Sequence, residues 1–362
     1  MIYNDVDIKW MRRAIRLALL GKGSTSPNPL VGAVIINKFG NLIGEGFHPK
    51  SGMPHAEAMA FNNLKEDPIN GSLYVNLEPC CHTGKTPPCA NRIIQAGIKK
   101  VYIAIKDPDK RVSGKGIELL KRAGIEVHLG LCAEESLRIN KSFIYRCLTS
   151  KSYGVLKWAM SLDGRIGLAN GKSKWISNDI SRSNVHKLRA DFDAIIIGGN
   201  TLRKDNPILT TRGIKEVEPL RVIFTKSLNL PKEANLWNCK IAKTLIVYDK
   251  SNVTKTNLEN IPSSVEIVGV SSDNPRNLSE LLAKKGCNKI LWECGPKLAT
   301  SAIKNSCIQE TISYIAPKIL GGFNSMNPIA DLGFEDMQDV IKLEQFEINK
   351  FKDDLFLRNF LL

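Results

Sequence analysis

His55, Glu57, Cys80 and Cys89 are the residues of this 362-residue chain whose types and spacing point most directly to chemistry; they occur as His55-Ala56-Glu57, then Pro79-Cys80, then Cys89. A neutral imidazole and two thiolates make a good zinc ligand set. Three protein ligands leave the fourth position to water, which marks a catalytic rather than a closed structural site. Zinc lowers the pKa of such a water to about 7. Glu57 need not touch the metal. It can take the water proton and return it to a ring nitrogen and a departing ammonia, the part an unligated glutamate plays in zinc deamination of nucleobases.

The common deaminase spacing is Pro-Cys-x-x-Cys, whereas residues 81–88 separate Cys80 from Cys89. Cys81 and His82 are therefore competing ligand candidates. A closed zinc knuckle is the structural alternative, and it would leave Glu57 without a role. His55 and Cys80 are each expected at a helix N-terminus, where the positive end of the dipole favours a thiolate. Residues two apart on a helix point to opposite faces, so His55 and Glu57 can share a site only if His55 sits in the first turn. Pro54 suits such a start.

The elements that must position these groups follow from hydrophobic period and turn residues. A helix is expected over about 7–20, then a Gly/Ser/Pro loop over 21–29 and strands over 30–36 and 42–47. A helix from Pro54 to about 64, a strand over 73–77, a helix near 88–96 and a strand over 101–105 come next. A helix over 116–123, a strand over 126–129 and a polar helix over 134–148 complete a layered α/β domain. A second series then begins. Its strands are expected at 155–160, 194–197, 221–224, 244–248, 267–270, 289–292 and 311–315, with helices near 180–189, 277–285 and 297–305. Two domains result, residues 1–148 and residues 149–362.

In the second half no Gly-x-Gly-x-x-Gly follows a strand, so a Rossmann dinucleotide site is not indicated. Three strand ends contain glycine: 159–165, Ile197-Gly198-Gly199-Asn200-Thr201 and Glu293-Cys294-Gly295-Pro296. Glycine there permits close backbone approach, Thr201 reads as a helix cap, and the helix after Gly295 could receive a phosphate.

Composition narrows the function classes. The formal net charge is +15, divided as +8 in residues 1–148 and +7 in the rest. No basic tail or stripe marks a duplex-binding face, and aromatic residues make up only 7% of the chain, which argues against a surface for splayed-out bases. Broad positive charge suits small phosphorylated molecules instead. No apolar run approaches the ~18–20 residues of a membrane helix. An N-terminus with Asp5, Asp7, Arg12, Arg13 and Arg16 does not fit a signal peptide. A cytoplasmic enzyme is expected, with the nine cysteines mostly small buried residues rather than a disulfide framework. Oligomeric state stays open, a homo-oligomer included.

The stretch Thr25-Ser26-Pro27-Asn28-Pro29-Leu30-Val31-Gly32-Ala33, the pair His48-Pro49, and Glu78-Pro79-Cys80-Cys81-His82-Thr83-Gly84-Lys85-Thr86-Pro87-Pro88-Cys89 resemble the deaminase domain of the bifunctional riboflavin-biosynthesis deaminase–reductases. The long zinc loop is characteristic of that family, so its departure from Cys-x-x-Cys becomes support. The resemblance implies a cytidine-deaminase-like fold and removal of the 2-amino group from 2,5-diamino-6-(5-phosphoribosylamino)pyrimidin-4(3H)-one. It also implies substrate contacts from Asn28, His48 and Lys85, which by themselves read as a turn residue, a strand-end residue and a loop charge.

The second half is similar to the reductase domain of the same family over 157–166, 173–177, Leu188-Arg189-Ala190, 198–212 and Glu293-Cys294-Gly295. This resemblance implies a dihydrofolate-reductase-like fold and reduction of the ribosyl group to ribityl by NADPH, with hydride delivered to C1′. It assigns Ala159, Trp175, Thr201, Asp205 and Gly295 to the cofactor, and Ser173, Arg189, Leu209, Arg212 and Glu293 to the phosphorylated substrate. Lys157 could polarise the sugar oxygen or simply reach to water along its stem. Two departures stand out. Cys294 replaces a frequent glycine, and Thr225-Lys226 replace an Asp-Ser or Asp-Thr pair. The second keeps open a C-terminal domain that binds without reducing.

Overall fold

A computed structural model describes residues 3–81, 88–110, 112–252 and 261–362. The chain divides into two compact units, Met1–Thr149 and Ser150–Leu362.

The first unit opens with helix α1 (Asp5–Leu19), whose Asn4 cap accepts a hydrogen bond from the Asp7 amide at 2.8 Å. Strands β1 (Gly32–Ile36) and β2 (Leu42–Phe47) follow, then α2 (Ala56–Asn62), β3 (Ser72–Leu77) and α3 (Cys89–Gln95). β4 (Lys100–Ile105), α4 (Lys115–Arg122), β5 (Glu126–Leu129) and α5 (Ala133–Thr149) complete it. The sheet order is β2-β1-β3-β4-β5. β1 runs antiparallel to both neighbours, while β3, β4 and β5 are parallel.

Strand residues alternate between two covered faces, as the pleat requires. Ala33, Ile35, Leu73 and Val75 pack with Ala56, Ala60, Ala90, Ile93 and Leu120. Val34, Ile36 and Tyr74 pack with Met11, Ala14 and Ile15. With both faces buried the strands read as continuous apolar runs. Two glycines let helices lie against the sheet: a Cβ on Gly32 would sit 2.0 Å from the Ala14 carbonyl, and one on Gly46 would sit 2.5 Å from the Met59 Cβ. α1 and α2 are thereby pressed onto β1 and β2.

The second unit contains β6 (Tyr153–Ser161), α6 (Asp179–Arg189), β7 (Ala194–Gly198), α7 (Gly199–Asp205), β8 (Leu220–Thr225), β9 (Thr244–Asp249) and β10 (Glu266–Val270). α8 (Pro275–Lys284), β11 (Lys289–Trp292), α9 (Pro296–Lys304), β12 (Glu310–Ala316), β13 (Leu343–Phe351) and β14 (Asp354–Leu361) follow. The sheet order is β10-β9-β8-β7-β11-β6-β12-β14-β13. It is parallel from β10 to β12 and antiparallel at the final hairpin. The chain leaves β6, skips a place to reach β7, runs outward to β10, and returns to place β11 between β7 and β6. Ligand crevices of open parallel sheets form at such a reversal, outside the carboxyl ends of the strands. Here those ends carry Ser161, Gly198 and Glu293.

Several expectations need correction. The helix expected from Pro54 begins at Ala56, with His55 as its N-cap, because a cap residue keeps extended backbone while its carbonyl already accepts from the first turn. Thr201 is not a cap. α7 starts earlier, with Gly198 in the cap position and Thr201 inside the first turn. The β13–β14 hairpin has no counterpart among the expected strands. A register shift between Gln345 and Glu347 breaks the two-residue period, so the apolar residues Leu343, Phe346, Ile348 and Phe351 do not alternate as a strand should. Among the described residues no helix is long and apolar enough to cross a membrane.

Candidate active sites

In the first unit the three expected zinc ligands converge. His55 caps α2, Cys89 opens α3, and Cys80 lies three residues beyond β3. His55 Nδ1 is 3.6 Å from Cys80 Sγ and 3.4 Å from Cys89 Sγ, and all three donor atoms lie within 4.8 Å of one another. A tetrahedral zinc at ~2.3 Å from sulfur and ~2.0–2.1 Å from nitrogen places such atoms about 3.5 Å (N to S) and about 3.8 Å (S to S) apart. The donor set therefore fits zinc in chemistry and in spacing. Cys81 lies outside this group, and His82 and Lys85 lie outside the described residues.

The electrostatics point the same way. A hydrogen bond with the Cys89 thiol, helped by His55 and the Cys89 amide against the effect of burial, holds Cys80 at about 4. The same hydrogen bond, with burial, pushes Cys89 far up. The surroundings thus favour the thiolate at Cys80, the form in which a sulfur binds a metal. Cys80 does not stand at a helix start as expected. Its sulfur instead receives the first-turn amide of α3, Cys89 N–H, at 3.3 Å, so the dipole reaches it from a neighbouring helix. Glu57 is buried beside the group, and burial, then the charge of Cys80, push its carboxyl up to about 7. His55 in the cap position and Glu57 in the first turn can thus serve one site.

His48 and Asn28 border this group. His48 Nδ1 is 3.0 Å from the Pro54 carbonyl, which only accepts, so Nδ1 carries the proton. His48 Nε2 then accepts from Asn28 Nδ2 at 3.0 Å. Burial lowers the His48 pKa and keeps the ring neutral. Its edge meets the His55 ring at 5.8 Å.

Three residues escaped the sequence reading. Asn140 accepts from Leu30 N–H at 2.8 Å and donates to Leu30 O at 2.9 Å, and Asn76 accepts from Gly32 N–H at 2.8 Å. Together they fix the segment that carries Asn28. Glu78 is buried and accepts from the amides of Asp107, Gly114, Gly116 and Ile117 at 2.9–3.3 Å. It ties the turn before α4 to the residue two places before Cys80. The available signal was a polar residue at the end of an apolar strand run.

In the second unit the charged group lies at the carboxyl end of β11. Arg189, at the end of α6, binds Glu293 through Nε–Oε1 at 2.7 Å and Nη2–Oε2 at 3.1 Å, while its Nη1 donates to the Thr210 carbonyl at 3.1 Å. Lys157 of β6 approaches Glu293 at 3.7 Å. Burial alone would raise the Glu293 pKa, but Arg189 and Lys157 outweigh it and hold the carboxylate at about 2. Burial draws the Lys157 ammonium down. The planar fork of Arg189 is thus already engaged. Arg212 is exposed, and it and the buried Leu209 both adopt left-handed backbone, at φ 54° and 56°. The segment between them is held by Glu218, which accepts from the Thr211 amide at 2.7 Å and the Thr211 hydroxyl at 2.8 Å.

The expected cofactor residues are spread over β6, the loop that follows it, α7 and the start of α9. Ala159 lies in β6 opposite Tyr314 of β12. Gly295 caps α9, and the space where its side chain would stand is open, a cradle suited to a phosphate at the amide end of a helix. Thr201 and the exposed Asp205 belong to α7, and Gly199 packs on Thr225, whose hydroxyl donates to Ser227 O at 2.6 Å. Ser173 is half-buried. Trp175 is 64% exposed, with the Arg182 guanidinium 4.7 Å from its ring centre. Lys226 pairs with Asp273 at 2.9 Å.

Residues 4–105 match the cytidine and deoxycytidylate deaminase zinc-binding region, and residues 152–357 match the RibD C-terminal domain. The riboflavin biosynthesis protein RibD of Synechocystis is 42% identical over 97% of this chain and 95% of its own length. The chain belongs to the RibD family of riboflavin-biosynthesis proteins. RibD of Acinetobacter baumannii has the same fold at a TM-score of 0.88, with 36% identity and 99% of each chain covered. A Thermotoga maritima protein described as a diaminohydroxyphosphoribosylaminopyrimidine deaminase/5-amino-6-(5-phosphoribosylamino)uracil reductase also gives 0.88, at 31% identity over 99% of each chain. The chain is accordingly a two-part enzyme of riboflavin biosynthesis. A cytidine-deaminase-like zinc domain precedes a reductase domain of the kind that uses a nicotinamide cofactor.

Proposed function

We propose that the chain performs two consecutive steps on phosphorylated pyrimidine ribosylamines. The first converts 2,5-diamino-6-(5-phosphoribosylamino)pyrimidin-4(3H)-one to the corresponding uracil, consuming water and releasing ammonia. The convergence of His55, Cys80 and Cys89 beside the buried Glu57 carries this reading. Zinc held by those three residues would supply a Lewis acid and an activated water. Glu57, drawn up to about 7 by burial, takes the two protons of the water in turn and passes the first to the ring nitrogen and the second to the leaving amine. Neutral His48, Asn28 and Lys85 orient the pyrimidine and its substituents.

The second step opens the ribosyl ring: hydride from NADPH adds at C1′, and the sugar oxygen takes a proton. Lys157, whose burial lowers its pKa, is suited to polarise that oxygen, and Glu293 and Arg189 fix its position. Ser173, Leu209 and Arg212 complete the substrate site. Arg212, whose guanidinium can grip two phosphate oxygens, is the candidate for the 5′-phosphate because the Arg189 fork is engaged by Glu293 and Thr210. Ala159, Trp175, Thr201, Asp205 and Gly295 receive NADPH. The deciding experiment follows ammonia release and NADPH oxidation with the diamino substrate, and with its deaminated product supplied separately. Ammonia release without NADPH oxidation on either compound would leave a deaminase joined to a binding domain.

A further inference from the structure

We propose that Lys318 is a positioning residue for the reductase: its ammonium holds the backbone that presents Trp175 to the nicotinamide cofactor. The inference rests on the reading of Trp175 as a cofactor contact.

Lys318 stands just beyond β12, and its Nζ donates to two successive carbonyls, Trp175 O at 3.0 Å and Ile176 O at 2.7 Å. A lysine on an open surface normally keeps its ammonium in water, so its use on two backbone acceptors calls for a fixed starting point. The structure supplies one. Leu162 N–H donates to the Lys318 carbonyl at 2.8 Å. Asp163, at the end of the neighbouring strand β6, accepts from the Leu320 amide at 3.1 Å, the Gly321 amide at 2.7 Å and the Ser161 hydroxyl at 2.5 Å. Those bonds hold the Asp163 carboxyl at about 2, so the clamp is charged at any working pH. Farther out, Ile166 N–H donates to Met326 O at 2.8 Å.

The loops after β6 and β12 are therefore stapled side by side at the end of the sheet where Ala159 and Glu293 also lie. Trp175 ends up 64% exposed, with Arg182 over its ring. A large apolar ring is left uncovered although the backbone beneath it is tightly bound. That combination suits a surface prepared for a flat, partly apolar ligand such as the cofactor, since holding the ring in place before binding lowers the ordering cost of association. Lys318 does not touch the ring. It acts through the backbone of Trp175, and for that reason charge and reach should both matter.

The test uses the full-length, zinc-loaded protein. Lys318→Met should raise the NADPH dissociation constant and the KM for NADPH about tenfold, a binding change of about 1.4 kcal/mol, and leave kcat within roughly twofold. Lys318→Arg should restore most of the affinity. In the cofactor-free protein, amide exchange over residues 173–177 should quicken in Lys318→Met, while ammonia release at the deaminase site stays unchanged. Trp175→Ala separates the two layers of the argument. If Trp175→Ala weakens NADPH binding and Lys318→Met does not, the positioning role is wrong while the cofactor reading stands. If Trp175→Ala binds NADPH like wild type, both are wrong.

Discussion

Glu293 and Arg189 meet through two parallel hydrogen bonds, at 2.7 and 3.1 Å, with their side chains only 11% and 12% exposed. Lys157 completes a group of two cations around one carboxylate. Removing one partner of a buried ion pair strands the other, at about 3–5 kcal/mol. Glu293→Gln should therefore destabilise the second unit and abolish reduction, while ammonia release persists. The pH dependence has a definite sign. The Glu293 pKa falls from its ordinary 4.5 to about 2 on folding, so its contribution, on the order of 3 kcal/mol by proton linkage, is fully present above pH 4.5. It fades as pH drops toward 2. Thermal unfolding should show the gap between wild type and Glu293→Gln narrowing across that window; a gap independent of pH would contradict the depressed carboxylate.

Metal analysis tests the ligand assignment. Purified protein should hold about one zinc per chain. Cys89→Ser should lose it, and Cys81→Ser should keep it, because Cys81 lies outside the His55, Cys80 and Cys89 group. Equal loss from both variants would refute the assignment.

In the proposed deamination Glu57 moves protons without holding the metal. Glu57→Gln should keep its zinc and its fold yet lose deamination by about 10²–10⁴-fold. Reduction of the deaminated substrate should continue at the wild-type rate. Zinc loss from this variant would make Glu57 a ligand or a support for one.

Arg189 and Arg212 should behave differently, although the sequence presents them alike. Arg212→Ala should lower the reductase kcat/KM by roughly 10–100-fold, about 1.4–2.7 kcal/mol, with little change in melting temperature. Substrate without the 5′-phosphate should be reduced poorly by wild type and hardly worse by the variant. Arg189→Ala should also lower the melting temperature, since it leaves Glu293 buried beside Lys157 alone. Matching kinetics of wild type and Arg212→Ala on the phosphorylated substrate would remove Arg212 from the site.

What the sequence disclosed tracks how local each interaction is. His55, Cys80 and Cys89 were legible because ligand chemistry depends on residue type, and the strands were legible because burial on both faces leaves apolar runs. The setting of Cys80 was not, since the amide it accepts belongs to a helix that begins nine residues later. Asn76, Glu78 and Asn140 were missed for the same reason: their partners are backbone groups that only the fold brings to them. The pairing of Arg189 with Glu293 was not legible either, because nothing in the neighbourhood of Arg189 announces a carboxylate 104 positions away. The closing hairpin hid behind the bulge at Gln345 and Glu347.

The four amides gathered by Glu78 bear on how the enzyme would acquire its metal. They anchor the Cys80 side of the centre to the sheet and to α4 by bonds that involve no ion. That half is shaped during folding, as a socket is cut before its pin arrives. An enzyme stripped of zinc by a chelator should therefore regain metal and deamination on simple addition of zinc, without a cycle of denaturation and refolding.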